Sequence, residues 1–227
     1  MQTLQDAFDF LNFWIAKERG AYYTIPELEA LCNNAQLSYY TDIKGKYATS
    51  TEIKEILAPF KSTYVFTPSN SISGYVVVPS NVGYLDFLDM QVEVDISSRI
   101  LYNPVEIVAE DTRADRLNSQ IDPVTVSNPI AEIMATRYFK MYPTAGYRGI
   151  ITFLRLPANV VFGYSVISGR VIVYNPATSV QLEWRILDWQ PILLKALQSI
   201  GINLSAADVA AFAQMRTQSN YENFNRI

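Results

Sequence analysis

Met90-Gln91-Val92-Glu93-Val94-Asp95-Ile96 alternates apolar and polar side chains through seven consecutive positions. Successive side chains of a strand point to opposite faces, so this stretch reads as a half-buried antiparallel strand with Met90, Val92, Val94 and Ile96 turned to a core. The same period of two, or short β-branched and aromatic runs, marks strands at Gly74–Val78, Ile100–Tyr102, Val105–Val108, Tyr138–Tyr142, Gly149–Leu156, Val160–Tyr164 and Arg170–Tyr174. Turn residues such as Pro143-Thr144-Ala145-Gly146 separate them, which predicts a sandwich or barrel-like domain. One short helix is expected near Glu110–Leu117.

Outward from this centre the period changes. Nine of the eleven prolines lie between Pro59 and Pro176, and the other two fall in the first turns of predicted helices. Leu4, Phe8, Leu11, Trp14 and Ile15 recur at helical spacing, with Thr3 as cap and Gly20 just past the end. Thr24-Ile25-Pro26-Glu27 is a capping box opening a second helix with Leu28, Leu31, Cys32, Ala35 and Tyr39 on one face. Thr49-Ser50-Thr51-Glu52 starts a short third helix that Pro59 stops. Near the other end, Asp188 is placed as the cap of a helix carrying Leu193, Leu194, Leu197 and Ile200 and closed by Gly201. Ser205-Ala206-Ala207-Asp208 opens a last helix with Val209, Phe212 and Ala213 inside.

The expected fold is therefore α+β: a helical bundle formed by both chain ends with an inserted antiparallel β-rich domain. The boundaries read as 1–60 for the N-terminal helical part, 61–185 for the insertion, 186–217 for the C-terminal helices and 218–227 for an extended docking tail.

Composition narrows the function. The 227 residues include no histidine and a single cysteine, but 15 tyrosines and 11 phenylalanines. Histidine is the usual proton shuttle near neutrality and a common metal ligand, so its absence removes most active-site designs. Cys32 shares an apolar helix face and lacks a histidine to activate it. Gly163-Tyr164-Ser165-Val166-Ile167 holds only half of a nucleophile elbow, and no phosphate-cradling loop is present. Asp86, Asp89, Glu106, Glu110, Asp111 and Asp115 are the best catalytic carboxylates, yet Arg113 and Arg116 stand close in sequence, as on a surface helix balanced by ion pairs. These acids also lack calcium-loop spacing. The chain is read as a non-enzyme without cofactor or metal.

The start has no basic region followed by an apolar core, and no 18-residue apolar run occurs, so neither a secretory signal nor a membrane span is expected. One cysteine excludes an internal disulfide framework and fits synthesis in a reducing cytoplasm. Only 18% of residues are charged, against roughly 25% in an average soluble protein. Part of the surface is therefore expected to be covered by partners.

Charge is also segregated. Residues 82–136 hold ten acids and three arginines, a net of −7, whereas 137–185 hold six basic residues and one acid, a net of +5. Opposite flanks of this kind allow head-to-tail contacts that close into a ring, with Arg137, Lys140, Arg148, Arg155 and Arg170 as candidate subunit contacts. The same basic stretch interleaves aromatics, which also fits a ring wall that passing DNA touches without being gripped.

Phe10-Leu11-Asn12-Phe13-Trp14-Ile15, Tyr22-Tyr23-Thr24-Ile25-Pro26, Leu57-Ala58-Pro59-Phe60, the segment from Trp184 through Leu193-Leu194-Lys195-Ala196-Leu197 to Gly201, and Thr217-Gln218-Ser219-Asn220-Tyr221 together resemble the head-to-tail adaptor, or connector ring, proteins of tailed bacteriophages, particularly of the crAss-like phages. The resemblance covers the helical ends; many adaptors lack so large a β insertion. It implies a structural ring of twelve copies in the virion, under the portal at the head–tail junction. It further implies docking of the C-terminal tail on the portal protein, for which Tyr221, Phe224 and Arg226 are the candidates, and contact with further ring or tail proteins. The alternatives are a carbohydrate-binding or hydrolytic tail module, or another head or tail protein such as a tail terminator.

Overall fold

The computed structural model describes residues 3–68, 72–96, 99–167 and 171–204, together with Asp208 and Phe212. The fold is α+β and divides into two compact units, one from Met1–Ile56 with Pro157–Ile227 and the other from Leu57–Leu156.

In the first unit, helix α1 (Leu4–Arg19) begins as its sequence dictates. The Asp6 amide donates to Thr3 Oγ1 at 3.2 Å, and the Thr3 amide donates back to Asp6 Oδ2 at 3.2 Å. Gly20 closes it at φ 66°, its amide donating to the Ala16 carbonyl. Helix α2 (Ile25–Lys44) opens with the Thr24 amide donating to Glu27 Oε2 at 2.7 Å. Its buried face is Leu28, Leu31, Cys32, Ala35, Gln36 and Tyr40. Tyr39 was expected on that face; it is half-buried, and its hydroxyl donates to Asp188 at 3.4 Å. Helix α3 (Thr51–Ile56) is short, and α5 (Ile186–Ser199) packs against α1 and α2. Asp188 does not cap α5. The helix begins at Ile186, and Asp188 lies inside its first turn, buried and ion-paired to Arg185 at 2.8 Å. An acid in a helix's first turn meets the positive end of the dipole there without being the cap.

Residues 157–185 belong with the helices, whereas the sequence reading placed them in the β insertion. Those described are mostly extended, with one antiparallel strand pair, β9 (Tyr164–Ile167) and β10 (Val171–Tyr174), a 3-10 turn at Pro176–Thr178, and an isolated bridge between Val161 and Val180. Buried backbone groups need partners, and here side chains of α2 supply them in place of a neighbouring strand. Asn33 Oδ1 accepts from the Val160 amide at 2.7 Å, Glu29 Oε1 from the Phe162 amide at 2.6 Å, and Gln36 Nε2 donates to the Ala158 carbonyl at 3.0 Å. Trp184 Nε1 donates to Gln36 Oε1 at 3.2 Å. The Phe162 ring stacks on Phe8 of α1 at 4.9 Å. A β-branched and aromatic run such as Val160–Tyr164 looks like a strand because it is extended, although a helix covers it.

The second unit contains two four-stranded sheets. One has the order β1 (Lys61–Phe66), β8 (Gly149–Arg155), β3 (Tyr84–Ile96), β4 (Arg99–Pro104), all antiparallel. The other has the order β2 (Tyr75–Val77), β7 (Tyr138–Tyr142), β6 (Ile130–Ala135), β5 (Glu106–Val108). Residues 90–96 form the second half of β3, with Met90 and Val92 fully buried. They join Phe66, Val76, Phe139, Met141, Tyr147, Ile151 and Phe153 in one core drawn from both sheets. Each such buried side chain contributes about 1.5–3 kcal/mol of transfer free energy.

The insertion is not wholly antiparallel. Strands β5 and β6 run parallel, and a parallel pair needs a crossover, here residues 109–129 with helix α4 (Arg113–Leu117). The segment is fastened to its sheet by Arg113 to Glu132 at 2.6 Å and Arg116 to Glu106 at 2.5 Å.

Candidate interaction surfaces

The basic residues proposed as subunit contacts are largely engaged within the second unit. Arg137 occupies the turn between β6 and β7 at φ 70°, and its own carbonyl accepts from the Val78 amide at 3.0 Å. Lys140, on β7, lies over the rings of Tyr142 and Tyr75 at 5.1 and 5.6 Å from their centroids. Hydrogen bonding to Tyr142, reinforced by Tyr75, holds its ammonium above the ordinary lysine value. Arg155 donates to the Pro59 carbonyl at 3.2 Å and covers the Phe60 ring. Arg148 is the most open of the four described, its side chain 58% exposed and 3.7 Å from Glu93. Arg170, Tyr221, Phe224 and Arg226 lie outside the described residues.

The charge segregation seen along the chain is thus partly folded away. Acidic β3 and basic β8 are neighbouring strands, so Glu93 and Arg148 meet within one molecule. The carboxylates around α4 behave similarly, though not as sequence spacing implied. Arg113 and Arg116 reach Glu132, Glu106 and Asp122 rather than the acids of their own helix, and Glu110, Asp111 and Asp115 face solvent. Glu132, on β6, is a further member of this cluster. Its buried carboxylate accepts from Arg113 and, at 3.3 Å, from the Tyr142 hydroxyl. Its signal in the sequence is that of a lone acid in Ile130-Ala131-Glu132-Ile133-Met134-Ala135.

Cys32 is fully buried, and burial, with nearby Glu29 adding to it, pushes its thiol up to about 12. A thiol so protonated is a poor nucleophile. Among the described residues no group of three or more His, Cys, Asp or Glu side chains is placed to hold a metal ion, and no helix is long and apolar enough to cross a membrane.

Apolar exposure is the other distinguishing property of the surface. Ile100, Leu101 and Tyr102 on β4 are 60%, 46% and 48% exposed, and they are consecutive, so both faces of this edge strand are open. The β9–β10 hairpin, joined to neither larger sheet, exposes Tyr164, Val166, Ile172 and Val173. Scattered exposed apolar residues are ordinary; consecutive ones on an edge strand mark surfaces that other chains cover. Comparison with known proteins finds no family model that matches this chain and no curated protein that matches it.

Proposed function

We propose that this protein is a noncatalytic structural subunit of a virion ring at the portal vertex of a tailed phage. The ring, of about twelve copies, joins the capsid portal to the tail and lets DNA pass. The observation that carries this reading is the run of exposed apolar residues on the open edge strand β4, with the exposed hairpin β9–β10 as a second such surface. Helices from both chain ends, with α5 against α1 and α2, are read as the bundle that an adaptor sets beneath a portal. The resemblance of those helical ends to head-to-tail adaptors gives the reading its place in the virion, and the tail residues Tyr221, Phe224 and Arg226 its portal contact.

Electron microscopy of particles containing the protein tests the reading directly. The expected result is one ring of density below the portal. Deleting residues 218–227 should abolish co-purification with the portal protein and leave the circular dichroism spectrum unchanged. Location elsewhere in the particle, or outside it, overturns the proposal.

One observation favours a second reading, a carbohydrate-binding tail module. Tyr75 and Tyr138 are each partly exposed, and Lys140 lies over Tyr75. Aromatic rings on a sheet face suit sugar rings. A glycan array separates the two readings, because a connector subunit gives no signal.

A further inference from the structure

The sheet β1-β8-β3-β4 ends in two edges, β1 and β4, each six residues long. An edge strand offers unpaired N–H and C=O groups to any strand that approaches, and natural proteins usually blunt such edges with charge, proline or a covering segment. The centre of β4 is not blunted, since Ile100, Leu101 and Tyr102 are all exposed. Its backbone directions follow from one bond: the Val105 amide donates to the Met90 carbonyl of β3 at 2.9 Å. Backbone groups alternate sides along a strand, so Asn103 and Leu101 also face β3 while Ile100, Tyr102 and Pro104 face outward. Pro104 has no N–H to give. The open ladder is therefore centred on Ile100 and Tyr102. At the opposite edge, β1 exposes Lys61, Thr63 and Val65, the last at 57%.

Strand direction makes the two edges compatible. Every neighbouring pair in the sheet is antiparallel, so β1 and β4 run in opposite directions. In a ring generated by rotation, β1 runs the same way in every copy, and β4 of one copy meets β1 of the next as an antiparallel pair. Side chains agree with this: antiparallel overlap sets Lys61, which opens β1, towards Pro104 at the end of β4, and brings the exposed Val65 towards the exposed Ile100. We infer that β4 of one copy adds to β1 of the next, so that this sheet continues from subunit to subunit. The inference rests on the ring reading and names the contact that would close the ring.

The experiment uses the full chain and cysteine pairs. Buried Cys32 leaves introduced thiols as the reactive ones. Leu101→Cys, whose backbone faces β3 and whose Cα would stand close to an added strand, is combined in turn with Ser62→Cys, Thr63→Cys, Tyr64→Cys and Val65→Cys to scan register. After mild oxidation with diamide, one double variant should give a ladder of covalent trimers and larger species, at least tenfold above either single variant. Separately, Tyr102→Pro removes an outward N–H and no bond to β3, and should abolish rings in negative-stain micrographs while keeping the far-UV spectrum. Dimers as the sole product of Leu101→Cys alone would overturn the inference in favour of a two-fold β4–β4 contact. Rings that persist in Tyr102→Pro, with no ladder from any pair, would overturn it and leave the ring reading standing. If the wild-type chain forms no ring, alone or with the portal protein, the ring reading fails and this pairing with it.

Discussion

At Gly149 a single hydrogen atom decides the packing of two strands. The residue sits on β8 between Phe66 of β1 and Val92 of β3, and a Cβ there would stand 2.1 Å from the Gln91 carbonyl oxygen and 2.6 Å from Phe66 Cζ. Neither neighbour can yield cheaply, because one is ladder backbone and the other is a fully buried ring. Gly149→Ala should therefore cost about 3 kcal/mol, at the upper end of overpacking penalties, read as a lower urea midpoint. A loss below about 0.5 kcal/mol would show that the sheet spreads more easily than its geometry implies. Two protons make a second prediction at this scale. Burial raises the Cys32 thiol from 9.0 to about 12 and the Tyr147 phenol from 10.0 to about 12. Both groups hold their protons to higher pH in the folded chain than in the unfolded one. Their contributions are thus complete below the unfolded values and are lost as pH rises towards 12. For Cys32 the slope is about 1.4 kcal/mol per pH unit above pH 9. Cys32→Ala should flatten the stability profile between pH 9 and 10, where Tyr147 does not yet contribute; an unchanged profile would refute the assignment.

Among the elements, the extended segment after Pro157 depends on side chains rather than on a sheet. Asn33 Oδ1 accepts from the Val160 amide and also from Gln36 Nε2, whose other bond is to the Ala158 carbonyl. Replacing Asn33 by alanine leaves the Val160 amide buried without that acceptor, a loss of about 1–3 kcal/mol. Hydrogen exchange checks this locally: the Val160 amide should exchange at least tenfold faster in Asn33→Ala, with amides of β3 and β8 unaffected. This dependence also explains which elements the sequence made legible. Strand β3 and helices α1 and α2 announce themselves because one face of each is buried and the period survives. Strand β1 buries only Phe66 fully, so Lys61-Ser62-Thr63-Tyr64-Val65-Phe66 carries no hydrophobic alternation despite its β-forming residues. Strand β6 is built from Ala, Glu, Ile and Met, residues that mostly favour helices, and its place is fixed by pairing with β5 and β7. The exposed edge of β4 was visible only as a short apolar run. Which of its backbone groups lack partners follows from sheet order, and that is non-local information.

For the whole molecule, connectivity sets a strong condition on the insertion. A unit interrupting another chain segment must bring its entry and exit close together, and here β1 and β8 do so by pairing Lys61 with Leu154. Arg155 reinforces the closure by donating to the Pro59 carbonyl. The Leu57–Leu156 unit also has a core of its own, from Phe66 to Phe153, drawn from both of its sheets. The other unit has a separate core from Leu4 to Leu197, with the buried polar cluster of Gln36 and Trp184 inside it. Each unit therefore has what independent folding requires: its own buried apolar residues and, for the insertion, adjacent ends. Residues 57–156 expressed alone should unfold cooperatively in urea and keep a β-type far-UV spectrum. In the complementary protein, Ile56 joined to Pro157 through a short Gly-Ser link should retain its helical signal. If the insertion alone is unfolded, its stability depends on the rest of the chain, and the boundary at Leu57 and Leu156 does not mark an autonomous domain.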